Sequence, residues 1–175
     1  MSVGKIKTYT GNWVDLINPS AADISIFDIA HALSCEARFN GHTREFYSVA
    51  QHSVFVSRNV PPGHALEALL HDAAEAYLKD MPKPLKMLLP SYQKLEQRMD
   101  SVIRAKYGLP PTMSREVADA DDLALGVESF ELTCLGQARA DSPLDAPLLP
   151  SGAERLFLRR CGELGVDVEV EVSDV

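Results

Sequence analysis

The sequence has little of what marks a secreted, membrane-spanning or nucleic-acid-coating protein. Its three cysteines, Cys35, Cys134 and Cys161, are odd in number, far apart and form no Cys-x-x-Cys pair. That excludes a disulfide framework, and they read as reduced, buried thiols of a cytoplasmic protein. No window approaches the ~20 apolar residues of a membrane span, and the lysines near the N-terminus precede no apolar run of a secretory leader. A soluble, unexported protein is therefore expected. Positive charge is in deficit, with 17 Lys and Arg against 25 Asp and Glu and a formal net charge of -8. A broad contact with duplex DNA or RNA needs the opposite balance, although a local cationic pocket is still allowed. No internal repeat or low-complexity linker divides the chain. Its 175 residues, 46% of them hydrophobic, fit a single domain over 1–175 able to bury its own core.

What is present reads as helices. Residues 6 to 18 mix β-branched and aromatic residues around Gly11 and Asn12, the pattern of a short hairpin or ribbon. Ser25 can cap a helix running to about Glu36, with Ile26, Ile29, Ala30 and Leu33 at helical spacing. Asn40-Gly41 breaks the chain, and a second helix is expected from Glu45 to about Asn59, stopped by Pro61 and Pro62. A third, from about Gly63 to Leu78, is apolar around much of its circumference and should be central. Two more run from Tyr92 to Tyr107 and from Ser114 to about Ala138, separated by Gly108, Pro110 and Pro111. A proline-rich loop over 141 to 151 leads to a short helix from Gly152 to Glu163. Residues 166 to 175 alternate apolar and acidic, as in an edge strand or a solvated tail. The predicted fold class is all-α, a helical bundle with a short N-terminal β ribbon.

Chemistry concentrates in His71-Asp72-Ala73-Ala74-Glu75, which follows His52 by 19 residues. An adjacent His and Asp suit one divalent metal, and in a continuous helix Glu75 lies on the same face, four residues after His71. Burying an imidazole and two carboxylates unpaired costs roughly 2 kcal/mol or more for each group. A metal is the simplest compensator, and a metal beside a proton-handling carboxylate most often does hydrolysis at phosphorus. Lys79, Lys83 and Lys86 punctuate the loop that follows, which Pro82 and Pro84 hold extended.

The order His52, His71-Asp72 and a late-helix aspartate resembles the H…HD…D pattern of the HD superfamily of metal-dependent phosphohydrolases. More closely, SVAQHS (48 to 53) and HDAAEAYLKDMPKPLK (71 to 86) are similar to bacterial HD-type 5′-deoxynucleotidases and to phage dATP triphosphohydrolases. The resemblance implies an HD-domain helical bundle whose metal ligands are His52, His71, Asp72 and one of Asp119, Asp121 and Asp122. Family members show Ala-Asp followed seven residues later by Glu, and Ala120-Asp121 with Glu128 fits that spacing, so Asp121 is preferred. Two imidazoles and two carboxylates suit Zn, Co or Mn without selecting one, and further Mg or Mn can accompany the phosphates. His31, outside that context, reads as a packed or hydrogen-bonded histidine, and His42 as either a loop residue or a substrate neighbour.

The resemblance also implies roles around the metal. Glu75 positions water or exchanges a proton with the leaving oxygen, and Asp80 shares that task or contacts the sugar. Arg38 and Phe39 match the family's Arg-aromatic pair, a guanidinium for phosphate and a ring for the base. Lys83 and Lys86 are further phosphate candidates, and Trp13, the only tryptophan, either stacks on a purine or anchors the core. Arg38, Lys79, Lys83 and Lys86, with Arg44, supply enough cations for three phosphates. The expected activity is therefore hydrolysis of a deoxynucleoside triphosphate, dATP by preference, to deoxynucleoside and triphosphate. The alternatives are a 5′-deoxynucleotidase, a (p)ppGpp hydrolase and a non-catalytic, metal-stabilised module. The resemblance further implies a homo-oligomer whose partner molecule is a deoxynucleotide, not a nucleic acid or a membrane.

Overall fold

A computed structural model describes residues 4–133 and 141–168. Two short strands, β1 (Lys5–Lys7) and β2 (Trp13–Asp15), pair antiparallel with Lys5 opposite Asp15, Ile6 opposite Val14 and Lys7 opposite Trp13. Gly11 closes their turn at φ 90°, a conformation that costs glycine nothing. The ribbon is pinned to the bundle by Thr10, whose N–H and hydroxyl donate to the Asp28 carboxylate at 2.7 and 2.9 Å. Val14 is fully buried while Trp13 is 53% exposed. Alternation along the strand therefore turns Trp13 to solvent, and the core-anchor reading of that residue is overturned.

Eight helices follow among the described residues: α1 (Ile26–Cys35), α2 (Val49–Arg58), α3 (Ala65–Leu69), α4 (Glu75–Leu78), α5 (Lys83–Lys86), α6 (Pro90–Lys106), α7 (Arg115–Glu128) and α8 (Pro150–Glu163). Side-chain caps start three of them, the hydroxyls of Ser25, Ser48 and Ser114 accepting from the N–H groups of Phe27, Gln51 and Val117. The second helix begins at Val49 rather than at Glu45. The preceding chain is occupied elsewhere, in an isolated bridge between Ala37 and Ser48 and a 3-10 turn over Arg38–Gly41.

The expected continuous helix over 63 to 78 is broken. Residues 70 to 74 form turns between α3 and α4, with the Ala73 and Glu75 N–H groups bonded to the carbonyls three residues back. The cause is local. His71 Nδ1 donates to the Ala68 carbonyl at 2.8 Å, the acceptor that a regular α-helix reserves for the Asp72 N–H. The loop over 79 to 86 contains α5. The fifth predicted helix ends as α-helix at Glu128, continues as a π turn over Ser129–Thr133, and its expected end near Ala138 lies outside the described residues. So do Cys134 and most of the expected C-terminal strand. Cys161 is buried, whereas Cys35 is exposed at the last position of α1, against the expectation for it.

Helix α1 packs on α8 and α4, and α2 packs on α3, α8 and α7. One core joins Ile29, Leu33, Val54, Leu69, Ile103 and Phe157. A smaller one joins Val56, Ala68, Val117, Ala120 and Ala124. Its three alanines leave little side-chain bulk between α7, α2 and α3, so Asp121 is brought against His52 and His71. A buried ion network holds the far end of α7: Arg104 donates to Glu67 at 3.2 Å and to Asp100 at 2.8 Å, and Glu67 also accepts from the Ser114 N–H at 2.8 Å.

Candidate metal centre and cleft

Four side-chain atoms from α2, the 70–74 turn and α7 converge. His52 Nε2 lies 3.4 Å from His71 Nε2, 3.6 Å from Asp72 Oδ2 and 3.1 Å from Asp121 Oδ1. His71 Nε2 lies 3.2 Å from Asp72 Oδ2 and 3.6 Å from Asp121 Oδ1. For an ion about 2.1 Å from each ligand, neighbouring donors stand roughly 3.4 Å apart in a tetrahedron and roughly 3.0 Å in an octahedron. Three of the five separations, 3.1, 3.2 and 3.4 Å, fall in that range, and the other two exceed its upper end by about 0.2 Å. His52, His71 and Asp72 form a group that could hold a metal ion. Of the three candidate aspartates, Asp121 alone reaches both imidazoles. Asp119 is exposed and paired with Arg115 at 3.4 Å, and Asp122 stands exposed at the cleft edge.

The imidazoles are oriented from behind. A carbonyl can only accept, so His71 Nδ1 carries its proton toward Ala68. His52 Nδ1 donates at 2.8 Å to Glu128 Oε1. Burial raises the Glu128 pKa, but His52 and Arg38 outweigh it and hold this carboxyl below its usual range, so it is an ionised acceptor. Both Nε2 atoms therefore face two carboxylate oxygens, an arrangement that asks for positive charge at its centre, a proton or a metal. The titration of the cluster expresses the same demand. Burial opposes charge on His71, yet Asp72 and Asp121 hold its pKa well above the ordinary histidine value. Against burial, His71 and its neighbours hold Asp72, and hydrogen bonds with His52 and His71 hold Asp121, far below the usual carboxylate range.

A cleft of about 470 Å³ opens beside this cluster, between the Arg38–Asn40 turn and the strap over Asp80 to Lys86, with Asp72, Glu75 and Asp121 in its wall. Phe39 and Asn40 both hold left-handed backbone, at φ 54° and 53°. Such conformations cost a non-glycine residue roughly 1–2 kcal/mol each and gather at functional sites. The turn sets Phe39 in the cleft wall and the Arg38 guanidinium 5.3 Å from its ring centre. Glu75 is 8% exposed, and its Oε2 is buried without a hydrogen-bond partner. Burial first, then Asp72 and Asp80, push its pKa well above the ordinary value. Burial likewise raises that of Asp80, against the pull of Arg38 at 4.0 Å.

Of the residues named from the sequence, Arg38, Phe39, Glu75, Asp80, Lys83 and Lys86 line the cleft with Asp72 and Asp121, and Trp13 does not. His31 is packed, stacked on Tyr9 at 3.7 Å and 3.3 Å from Glu154. His42 is exposed away from the cleft wall. Two of the expected cations are spent elsewhere: Lys79 holds Glu36 at 2.7 Å, and the Arg44 side chain donates to the Glu131 carbonyl. Among the described residues Asp72, Glu75, Asp80, Asp121 and Asp122 face Arg38, Lys83 and Lys86 across the cleft. Lys86 is engaged by Glu96 at 2.5 Å and lies 3.7 Å from Glu75. Sequence reasoning gave Glu128 no role of its own. Its signal was its spacing, seven residues and two helical turns beyond Asp121.

No family model matches the chain. It is 46% identical over 170 residues to an uncharacterized protein, YfdR, of Escherichia coli (strain K12), covering 91% of this chain and 94% of that one. It is 35% identical over 152 residues to an uncharacterized protein of Rhodobacter capsulatus, covering 79% and 78% of the two.

Proposed function

The chain belongs to the family of the uncharacterized Escherichia coli protein YfdR, and we propose that it is a metal-dependent phosphohydrolase of 2′-deoxynucleotides, of the HD type that its motifs resemble. The observation that carries this reading is the convergence of His52, His71, Asp72 and Asp121 at the wall of a cleft that also holds Glu75, buried and with Oε2 unpartnered. The choice of deoxyribose comes from the motif resemblance, and the choice of phosphate chemistry from the site.

A divalent Zn, Co or Mn ion held by those four residues would lower the pKa of coordinated water toward neutrality and neutralise charge on phosphoryl oxygens. The remaining work falls to the chain. Arg38 keeps Nε and Nη2 on Glu128 at 3.1 and 2.9 Å, while Nη1 faces Asp80 and can receive a phosphate oxygen. Lys83, with no ion pair among the described residues, supplies a second contact. Glu75, whose burial beside Asp72 and Asp80 favours its protonated form, gives a proton to the 5′ oxygen as the P–O bond breaks and water adds to phosphorus. Phe39 offers its ring to the nucleoside.

The cation arithmetic now favours a deoxynucleoside monophosphate. The triphosphate expectation leaned on Lys79 and Arg44, and the cleft contains neither. Of the three cations that line it, Arg38 is held by Glu128 and Lys86 by Glu96, so among the described residues Lys83 alone is unengaged there and few contacts are left for three phosphates. Incubating the protein with each dNMP, dNTP and NTP, with Mn, Co, Zn or Mg added singly, and separating the products tests the reading. Deoxynucleoside and inorganic phosphate from dNMPs are expected. Deoxynucleoside with intact triphosphate would instead make it a dNTP triphosphohydrolase, and no turnover with any metal would refute the phosphohydrolase.

A further inference from the structure

Glu128 is completely buried at the end of α7 and does not line the cleft. Its oxygens are divided between the two halves of the site. Oε1 accepts from His52 at 2.8 Å, and Oε2 accepts from Nε and Nη2 of Arg38 at 3.1 and 2.9 Å. The Arg38 side chain hydrogen-bonds to no other described residue, and the turn that carries it is left-handed at its next two positions. Its direction therefore comes from Glu128. Only a carboxylate can serve both neighbours, because it accepts at each oxygen. An amide accepts at one end and donates at the other, so in either orientation its NH₂ group meets an N–H of His52 or of Arg38.

We propose that Glu128 is a positioning residue that couples metal binding to phosphate binding, by orienting His52 toward the metal and Arg38 toward the substrate through one carboxylate. The proposal builds on the metal and phosphate reading above. A metal that draws His52 into place also places the carboxylate that aims Arg38, and by linkage a phosphate on Arg38 favours the metal to the same degree.

The test uses the purified full chain as wild type, Glu128→Gln, Arg38→Ala and the double variant. Mn²⁺ affinity is read by competition with a fluorescent chelator, and inorganic phosphate affinity by calorimetry at saturating Mn²⁺. Glu128→Gln is expected to weaken Mn²⁺ roughly 10- to 100-fold, the usual effect of removing a partner behind a ligating histidine, and to weaken phosphate as much as Arg38→Ala does. The double variant should bind phosphate no worse than Arg38→Ala alone, because residues acting through one contact are not additive. Loss of Mn²⁺ affinity without loss of phosphate affinity, or additive phosphate losses, overturns the proposal. If Glu128→Gln does not fold, Glu128→Asp keeps the charge and withdraws it by one methylene. That variant must show the same paired loss in smaller measure, and wild-type affinity for both probes would again overturn it. A wild type that binds neither probe refutes the functional reading itself and this proposal with it, whereas a wild type that binds both beside unaffected variants refutes the coupling alone.

Discussion

Replacing Glu75 by glutamine separates the proton from the shape. The wild-type carboxyl is 8% exposed, its Oε2 lacks a partner, and Oε1 lies 3.7 Å from Lys86. Burial, Asp72 and Asp80 raise its folded pKa well above 4.5, its ordinary value. A group raised in this way binds its proton more tightly in the folded state. Its stabilisation is complete below the unfolded value and is lost as pH rises through the folded one. The amide of Glu75→Gln never ionises, so the metal-free variant should melt with the wild type near pH 4.5 and gain on it steadily toward pH 8. Catalysis moves the other way. Losing a positioned general acid costs roughly 10²–10⁴ in rate, about 2.7–5.4 kcal/mol of barrier. Calorimetric melts with chelator across pH 4–8, beside phosphate release from dNMPs with saturating metal, measure both effects. A variant that turns over at the wild-type rate, or that melts below the wild type at pH 8, would sink the assignment of Glu75 as a buried proton donor.

Asp121→Ala should weaken metal binding by more than the ~100-fold upper range for an outer partner, while Asp119→Ala leaves it unchanged because that carboxylate sits in an exposed pair with Arg115, worth at most about 1 kcal/mol; metal content after dialysis compares them. Lys83→Ala should raise KM for the nucleotide about tenfold through loss of one charged contact, and Lys79→Ala should not, since its ammonium holds Glu36; equal effects in steady-state kinetics would return Lys79 to the cleft. Arg104→Ala removes the guanidinium from buried Glu67 and leaves it the Ser114 N–H and His64 at 3.6 Å; breaking such a buried pair costs about 3–5 kcal/mol and lowers Tm by about 6–20 °C for a chain of this length. Thermal melts of that variant and of the double change with Glu67→Ala check it, the double being the milder.

The class of the fold and most of the cleft were legible because apolar spacing and ligand residue types are local signals. Ser25, Ser48 and Ser114 cap helices through bonds to residues two or three positions on, so two of the three starts were readable to within a residue. The start at Val49 was not, because the bridge of Ala37 to Ser48 that displaces it is a tertiary pairing. The continuous helix over 63 to 78 failed for a related reason: its periodicity is real, but a side chain takes the Ala68 carbonyl. Lys79 and Lys86 carry the same charge in one loop, and only their partners, Glu36 and Glu96, show that neither is free. Trp13 was misplaced because a ribbon of three-residue strands buries Val14 and turns its neighbour outward.

The break between α3 and α4 makes the backbone a reporter of the site. Five- and four-residue helices fall far below the length at which helix persists alone in water. The turn between them is secured partly by His71 and Asp72 themselves. A metal held by the cluster would therefore tether this stretch of chain at its weakest point, and local opening there would first have to release it. Deuterium uptake at the amides of Ala73 and Glu75, whose bonds reach only three residues back, should slow as the site fills, while the amides of α8 keep their pace.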